Sequence, residues 1–233
     1  IIEKWLKLGA SGWRLDVADE LPDEFIKILK KKLKDVKEDG ILIGEVWEDA
    51  SNKFSYNRKR EYLFGNELDS VTNYPLRQII LDIVRGFIGN SYFKKYMSLK
   101  ENYPREYFYS TMNILGNHDT ERVLTVLNNN VSLLKLAVII QMTLPGVPLI
   151  YYGDEAGVCG FTDPDNRRTY PWGQEDKELI DFHKAVIRMH KENEVLRTGS
   201  YKSLYSAYNV IAYGRFSKDD AAIIIINNNE DEV

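Results

Sequence analysis

The sequence predicts an α/β protein built on a parallel sheet or barrel, with a small antiparallel β-module at its end. Three observations predict it. Short apolar runs alternate with amphipathic helical segments at βαβ spacing. Glycines and carboxylates cluster just after several of these runs. Beyond Leu196 the texture changes to Tyr- and Ile-rich strands. With 233 residues, 44% hydrophobic and 12% aromatic, the chain can bury one sizeable core and a small second module, which excludes a disordered or fibrous protein.

In order, Ile1, Ile2, Trp5, Leu6 and Leu8 fall at helical spacing, with Gly9 as a left-handed stop. Residues 12–17 read as a strand. After Pro22, the pattern Phe25, Ile26, Ile28, Leu29, Leu33, Val36 marks a helix with a lysine-rich outer face. Residues 41–46, behind Gly40, form the next strand and complete a right-handed βαβ unit. Residues 57–64 read as a short helix, 68–71 as a strand, and 75–87 and 91–101 as helices. Two buried strands, 111–115 and 147–152, are separated by helical material over 121–144, and 177–193 closes the series as an amphipathic helix. Residues 200–205, 209–216 and 221–226, divided by Ala207, Tyr208 and 218–220, suit antiparallel strands, and the pattern stops in 227–232. There is no repeat of fixed period and no low-complexity linker.

Charge narrows the partners. Thirty-five Asp and Glu against thirty-one Lys and Arg give a net charge of −4 with no basic block, so no nucleic-acid partner is expected. A single cysteine, Cys159, makes no intrachain disulfide, and the expected location is cytoplasmic. The longest apolar stretch, 133–152, is broken by Lys135, Gln141, Pro145, Gly146 and Pro148, so it reads as a buried helix followed by a strand. No membrane association and no signal peptide are expected. The chain opens on Ile1, directly in an amphipathic segment, and reads as a piece of something longer.

Three places put carboxylates just beyond the ends of predicted parallel strands: Gly-Trp-Arg-Leu-Asp at 12–16, Gly-Glu-Val-Trp at 44–47, and Gly-Asn-His-Asp at 116–119. In a barrel this edge is where strand-to-helix loops converge on an active site. Arg14 and Asp16, two apart on a strand, point to the same side. An arginine beside a partly buried carboxylate keeps it ionised, as a nucleophile needs, while the apolar neighbours of Glu45 favour a protonated general acid. Two carboxyls so opposed are the working parts of a glycosidase. Each feature alone has a plainer reading: a structural ion pair for Arg14 and Asp16, a loop cap for Glu45, a helix N-cap for His118 and Asp119. Coincidence of all three at strand ends favours function. His183 and His190, seven apart on one helix face and with no Asp or Glu set around them in a ligand motif, read as packing or surface residues rather than a metal site. Trp13, Trp47, Trp172 and fifteen tyrosines are either sugar-stacking platforms or core aromatics.

Residues 12–20 (GWRLDVADE), 44–50 (GEVWEDA), 115–122 (LGNHDTER) and 146–155 (GVPLIYYGDE) resemble, in order, the motifs of the α-amylase family of glycoside hydrolases, and most of all its neopullulanase and cyclomaltodextrinase branch. The resemblance implies a partial (β/α)8 TIM barrel, family strands four to eight, over residues 1–195, followed by the first strands of a C-terminal β-domain over 196–233. It implies that Asp16 is the nucleophile, Glu45 the general acid and then base, and Asp119 the third carboxylate on the distorted sugar. By the same resemblance Arg14 orients Asp16, and His118 and Trp47 contact substrate. Asp163 and Arg167 hold glucose units on the non-reducing side, and Asp19 and Glu20 shape the leaving-group side. Asp19 stands where the branch more often has Asn.

The implied reaction is retaining hydrolysis of α-1,4, and also α-1,6, glucosidic bonds in an α-glucan such as maltodextrin, starch, pullulan or cyclodextrin. A transglycosylase of the same family and a non-catalytic amylase-like scaffold are the alternatives, although a scaffold tends to lose the acids. A metal-dependent hydrolase would need histidines at strand ends, where only His118 stands. The resemblance also implies that strands one to three and a calcium ligand lie upstream of Ile1. No cofactor or metal is expected within this segment. Strand four would then be a bare edge, so the chain is expected to be weakly active or inactive alone, and sound when paired as a homodimer or with a missing N-terminal part.

Overall fold

The structure, a computed structural model, describes residues 1–86, 90–207 and 209–229. Phe87 at the expected end of one helix, Tyr208 in an expected divider, and 230–232 of the expected stop lie outside the described residues. In chain order the elements are α1 (Ile2–Lys7), β1 (Gly12–Leu15), α2 (Asp23–Val36), β2 (Ile41–Gly44), β3 (Phe54–Ser55), β4 (Arg58–Lys59), β5 (Ser70–Val71), α3 (Tyr74–Val84), α4 (Asn90–Asn102), α5 (Arg105–Ser110) and β6 (Met112–Ile114). There follow α6 (Val123–Val126), α7 (Val131–Thr143), β7 (Val147–Leu149), α8 (Lys177–Glu192), α9 (Glu194–Thr198), β8 (Ser200–Ala207), β9 (Val210–Phe216) and β10 (Ala221–Asn227). They fall into two compact units, Ile1–Pro75 with Ser98–Met112, and Leu76–Met97 with Asn113–Val233. Among the described residues no helix is long and apolar enough to cross a membrane.

The first unit is organised by a parallel sheet of order β1-β2-β5, with Gly12 opposite Ile41, Leu15 opposite Gly44, and Gly44 opposite Val71. Met112 extends the parallel sense through a bridge to Thr72. Two motif glycines are required by closeness. A Cβ on Gly12 would run into the Ile41 carbonyl, and one on Gly44 into the Leu68 side chain. Helix α2 begins after Pro22 and carries Asp23 and Glu24 in its first turn, where they suit the helix dipole. It buries Ile26, Leu29 and Leu33 at helical spacing, and Leu42, Val46, Leu68 and Val71 of the sheet region are buried in the same unit.

The second unit buries Ile79, Ile80 and Ile83 of α3, Leu134, Ala137 and Ile140 of α7, and Leu179 of α8. Asn130 and Asp176 cap α7 and α8 by accepting from the Leu133 and Leu179 amides. Strands β8, β9 and β10 form an antiparallel sheet of order β10-β9-β8, with alternation that buries Ile224 and Ile226 and exposes Ile223 and Ile225. The side chain of Arg215 in β9 is fully buried. It donates to the carbonyls of Thr143 at 2.7 Å, Leu196 at 2.6 Å and Gly199 at 2.9 and 3.2 Å.

Several expectations are corrected. The helix over 57–64 is absent: β3 and β4 make a two-residue hairpin whose turn residues, Tyr56 and Asn57, both have positive φ, at 51° and 60°. That is the pairing a tight hairpin demands. The helical stretch over 121–144 is two helices, broken where Asn128 and Asn129 adopt positive φ. Helix α5 was not expected. The strand at 147–152 ends at Leu149 and is not buried, since Val147 is exposed and, among the described residues, β7 has only β6 as a sheet partner. The strand at 12–17 stops at Leu15, and β8 runs through Ala207 over a bulge between Ser203 and Tyr205.

Candidate active site

Two of the three expected carboxylates share the first unit. Asp16 and Glu45 each stand one residue beyond their strands, β1 and β2, on the same C-terminal edge of the parallel sheet. The ladder continues past the strand ends, since the Glu45 amide donates to the Leu15 carbonyl at 2.9 Å and the Ala18 amide to the Glu45 carbonyl at 3.1 Å. Both side chains are therefore placed by sheet hydrogen bonds rather than by a free loop. The Arg14 guanidinium bridges them, one terminal nitrogen on Asp16 Oδ1 and the other 3.0 Å from Glu45 Oε1.

The two acids differ in setting. Glu45 is 3% exposed, while the Asp16 side chain is 71% exposed. The expected partial burial of Asp16 is thus not met, because the chain turns away from the sheet at Leu15 and β1 is the edge strand. Glu45 is not in purely apolar company either. Its Oε2 accepts from the Val17 amide at 2.8 Å and its Oε1 from the Tyr74 hydroxyl at 3.1 Å. Val17 aims that amide from a left-handed conformation at φ 42°. A β-branched residue is strained there by about 1–3 kcal/mol, and such strain concentrates at functional sites.

Tyr74 escaped the sequence reading. Its ring also stacks on Trp47, with centroids 4.0 Å apart and planes 11° from parallel, leaving Trp47 45% exposed. The available signal was position, because Tyr74 lies three residues beyond β5, on the same C-terminal side of the strands as Asp16 and Glu45. Asp19 and Glu20 sit in the 3₁₀ turn after Val17. Asp19 is held by Lys53 Nζ at 2.9 Å and the Tyr62 hydroxyl at 2.7 Å, and Glu20 accepts from the Tyr56 hydroxyl of the hairpin.

The second unit holds the other group. Asp119 lies in a turn closed by its own amide on Asn117 Oδ1 at 3.0 Å. His118 Nε2 is 3.0 Å from Asp119 Oδ2, and Arg167 lies 3.5 Å from Asp119 Oδ1 and 2.9 Å from Asp163 Oδ1. His118, Asp119, Asp163 and Arg167 thus form one cluster. The loop over 160–172 fixes it: Asn166 Nδ2 and Arg167 Nε donate to the His118 carbonyl at 2.8 and 3.1 Å. Within the loop, the Phe161 amide and Arg168 hold the Asp165 carboxyl below the usual range. Beneath it the buried Arg122 donates to the Asn166 carbonyl at 2.7 Å and to Asp154 Oδ1 at 3.0 Å. Burial pushes the Asp154 carboxyl up while Arg122 draws it back.

Trp172 is exposed beside Tyr170. Ring nitrogen Nδ1 of His183 lies 2.8 Å from the Leu179 carbonyl, and that of His190 2.7 Å from the Met142 carbonyl. Among the described residues no group of three or more His, Cys, Asp or Glu is placed to hold a metal ion.

Residues 1–198 match the family described as alpha amylase, catalytic domain. The chain is 40% identical to an amylopullulanase of Thermoanaerobacter thermohydrosulfuricus over 96% of its own length and 17% of the relative's. It is 38% identical to a cyclomaltodextrinase of Thermoanaerobacter pseudethanolicus, over 98% of this chain and 39% of that protein. Among solved structures it superposes with a TM-score of 0.89, at 28% identity, on the ligand-free cyclic α-maltosyl-(1→6)-maltose hydrolase of Arthrobacter globiformis. That match covers 97% of this chain and 50% of the other. The chain therefore spans half or less of each of these proteins, and its fold is a portion of the family's (β/α)8 barrel with antiparallel strands at its end.

Proposed function

The chain belongs to the α-amylase family, and from that premise we propose that it carries the reacting carboxylates of a retaining α-glycosidase. Its substrate is an α-glucan, maltodextrin, starch, pullulan or a cyclodextrin, in which it cleaves α-1,4 bonds and, where the glucan carries them, α-1,6 bonds. Support comes from the relatives, named amylopullulanase and cyclomaltodextrinase. The observation that carries the reading is the Arg14 bridge between Asp16 and Glu45 at the strand ends. One guanidinium spanning both carboxyls suits the about 5–5.5 Å separation of a retaining pair better than the ~6.5–9.5 Å of an inverting one.

In this reading Glu45 delivers its proton to the glycosidic oxygen as Asp16 attacks the anomeric carbon. The bond to the leaving sugar breaks and an ester to Asp16 forms. Glu45, now ionised, takes a proton from water, whose oxygen displaces Asp16 from the same face that the leaving group occupied. The configuration is retained. Arg14 keeps Asp16 aimed, and Asp119 and His118 bind sugar hydroxyls that shift in the transition state. Trp47, Asp163, Arg167, Asp19 and Glu20 contact neighbouring sugar units. We read residues 1–195 as the barrel portion and 196–233 as the start of the β-domain.

The test follows the anomer of freshly released product by proton NMR during maltodextrin hydrolysis by a chain that carries the complete barrel. An α-configured product is expected, and a β-configured product overturns the mechanism.

A further inference from the structure

The lysines on α2 do not form an ordinary solvated helix face. Lys27, Lys30, Lys31 and Lys34 recur at the i, i+3, i+4, i+7 spacing of one stripe, about 10 Å long. They line an open groove of about 760 Å³ whose other wall includes Asn66, Asp69 and Tyr107. This volume falls within the ~300–1,000 Å³ of small-molecule sites. The groove lies at the opposite edge of the first unit's sheet from Asp16 and Glu45. Asp69 stands one residue before β5, and it exchanges hydrogen bonds with Leu42 of β2, its amide donating at 2.7 Å and its Oδ2 accepting at 2.8 Å. The groove is therefore separate from the carboxylate site.

Four lysines line it against one lining carboxylate, Asp69. Lysines at i,i+4 repel one another, and the stripe holds two such pairs. Asp69 is in ion contact with Lys30 and lies 3.7 Å from Lys34. Lys27 has Glu24 at 3.5 Å and Glu67 at 3.9 Å. Lys31 has no ion pair among the described residues. A chain with a net charge of −4 thus concentrates four cations on one groove. Lys30 is buried, and desolvation pushes its ammonium below the usual lysine range against the pull of Asp69. An incoming anion would relieve both the repulsion along the stripe and the desolvated charge at its centre.

We propose that this groove binds a small metabolite bearing two or more linked phosphate groups. Lysine ammoniums serve phosphates as point charges, and a single monovalent anion would neutralise only part of a stripe two turns long. Asn66 supplies an amide and Tyr107 an aromatic wall with a hydroxyl.

The test titrates inorganic tripolyphosphate into the protein by calorimetry at low salt, with no sugar present, so its result is independent of the glycosidase reading. One ion per chain is expected. Its affinity should fall at least tenfold in Lys27→Gln/Lys31→Gln and about as much between 50 and 200 mM salt. The single Lys31→Gln change, at an exposed position, should show a smaller loss with an unaltered unfolding temperature. Absence of binding at millimolar tripolyphosphate, equal affinity in the double variant, or sulfate bound as tightly would each overturn the proposal. A parallel titration with ATP separates the sources. Equal affinity assigns recognition to the phosphate chain, whereas tighter binding lost in Tyr107→Leu assigns it to a nucleotide.

Discussion

The carboxylate pair of the first unit and the Asp119 cluster of the second are held by different means. Asp16 and Glu45 extend a parallel ladder, and three donors, from Arg14, Val17 and Tyr74, converge on the buried Glu45. Asp119 stands on a turn, and its partners His118 and Arg167 are themselves 40% and 45% exposed. The groups proposed to form and break bonds are fixed by the sheet. The group assigned to binding is held by side chains that water can replace.

The sharpest way to break this contrast is to remove the reacting atoms. Asp16→Asn should abolish turnover of maltodextrin while leaving the far-UV circular dichroism unchanged, because its side chain is exposed. Glu45→Gln should slow turnover by roughly 10²–10⁴-fold. Near-normal rates in either variant would remove that residue from its role.

Stability gives the next contrast. Arg14→Met leaves the buried Glu45 short of a donor and should cost about 1–3 kcal/mol, read from urea unfolding. Arg167→Met breaks exposed pairs and should cost under about 1 kcal/mol. Equal losses would mean that the two clusters are held alike after all.

Buried carboxyls sharpen the comparison further. Asp154 of the second unit has Arg122 beside it, but neither oxygen of the fully buried Glu67 in the first has a hydrogen-bond partner. Burial and then Asp23 push the Glu67 carboxyl up to about 7 from the ordinary 4.5. Between these values the folded chain keeps a proton that the unfolded chain has lost, so stability should decline as pH rises from 4.5 to about 7 and then level. Glu67→Gln should remove the Glu67 share of this decline, leaving that of Asp154, whose carboxyl burial also pushes up, and raise stability at pH 8 by on the order of 1–3 kcal/mol. Unfolding midpoints at several pH values would decide, and an unchanged slope would refute the assignment.

Among the effects on turnover the smallest is expected at Tyr74→Phe, which keeps the stack on Trp47 and removes one donor from Glu45. kcat should fall about tenfold, the worth of one hydrogen bond to a charged group, with KM little changed. A large KM effect would instead mark the ring as a sugar contact.

Much of this was legible in the residues, and the failures are local. Strand and helix order could be read because apolar periodicity reports burial, and the glycines at 12 and 44 mark backbones in close approach. The hairpin at 54–59 was misread because Tyr56 and Asn57 owe their conformation to the turn, which helix-like spacing of apolar residues does not reveal. The three acids stood out by motif, but Tyr74 did not. A tyrosine between Asn73 and Pro75 at the start of a helix gives no sign of a role until its hydroxyl is found on Glu45. Exposure of Asp16 follows from β1 standing at the edge of the described sheet, which the motif order had already implied.

The buried guanidinium of Arg215 bears on how such a chain can be inherited. The family match ends at residue 198, yet the donor for the Thr143 and Leu196 carbonyls comes from β9, beyond that point. Recombination that exchanged the trailing strands for an unrelated module would keep every carboxylate and orphan two buried acceptors, at about 1–3 kcal/mol each. Selection then acts on helix α7 and strand β9 as one heritable block, however independent the two look as text.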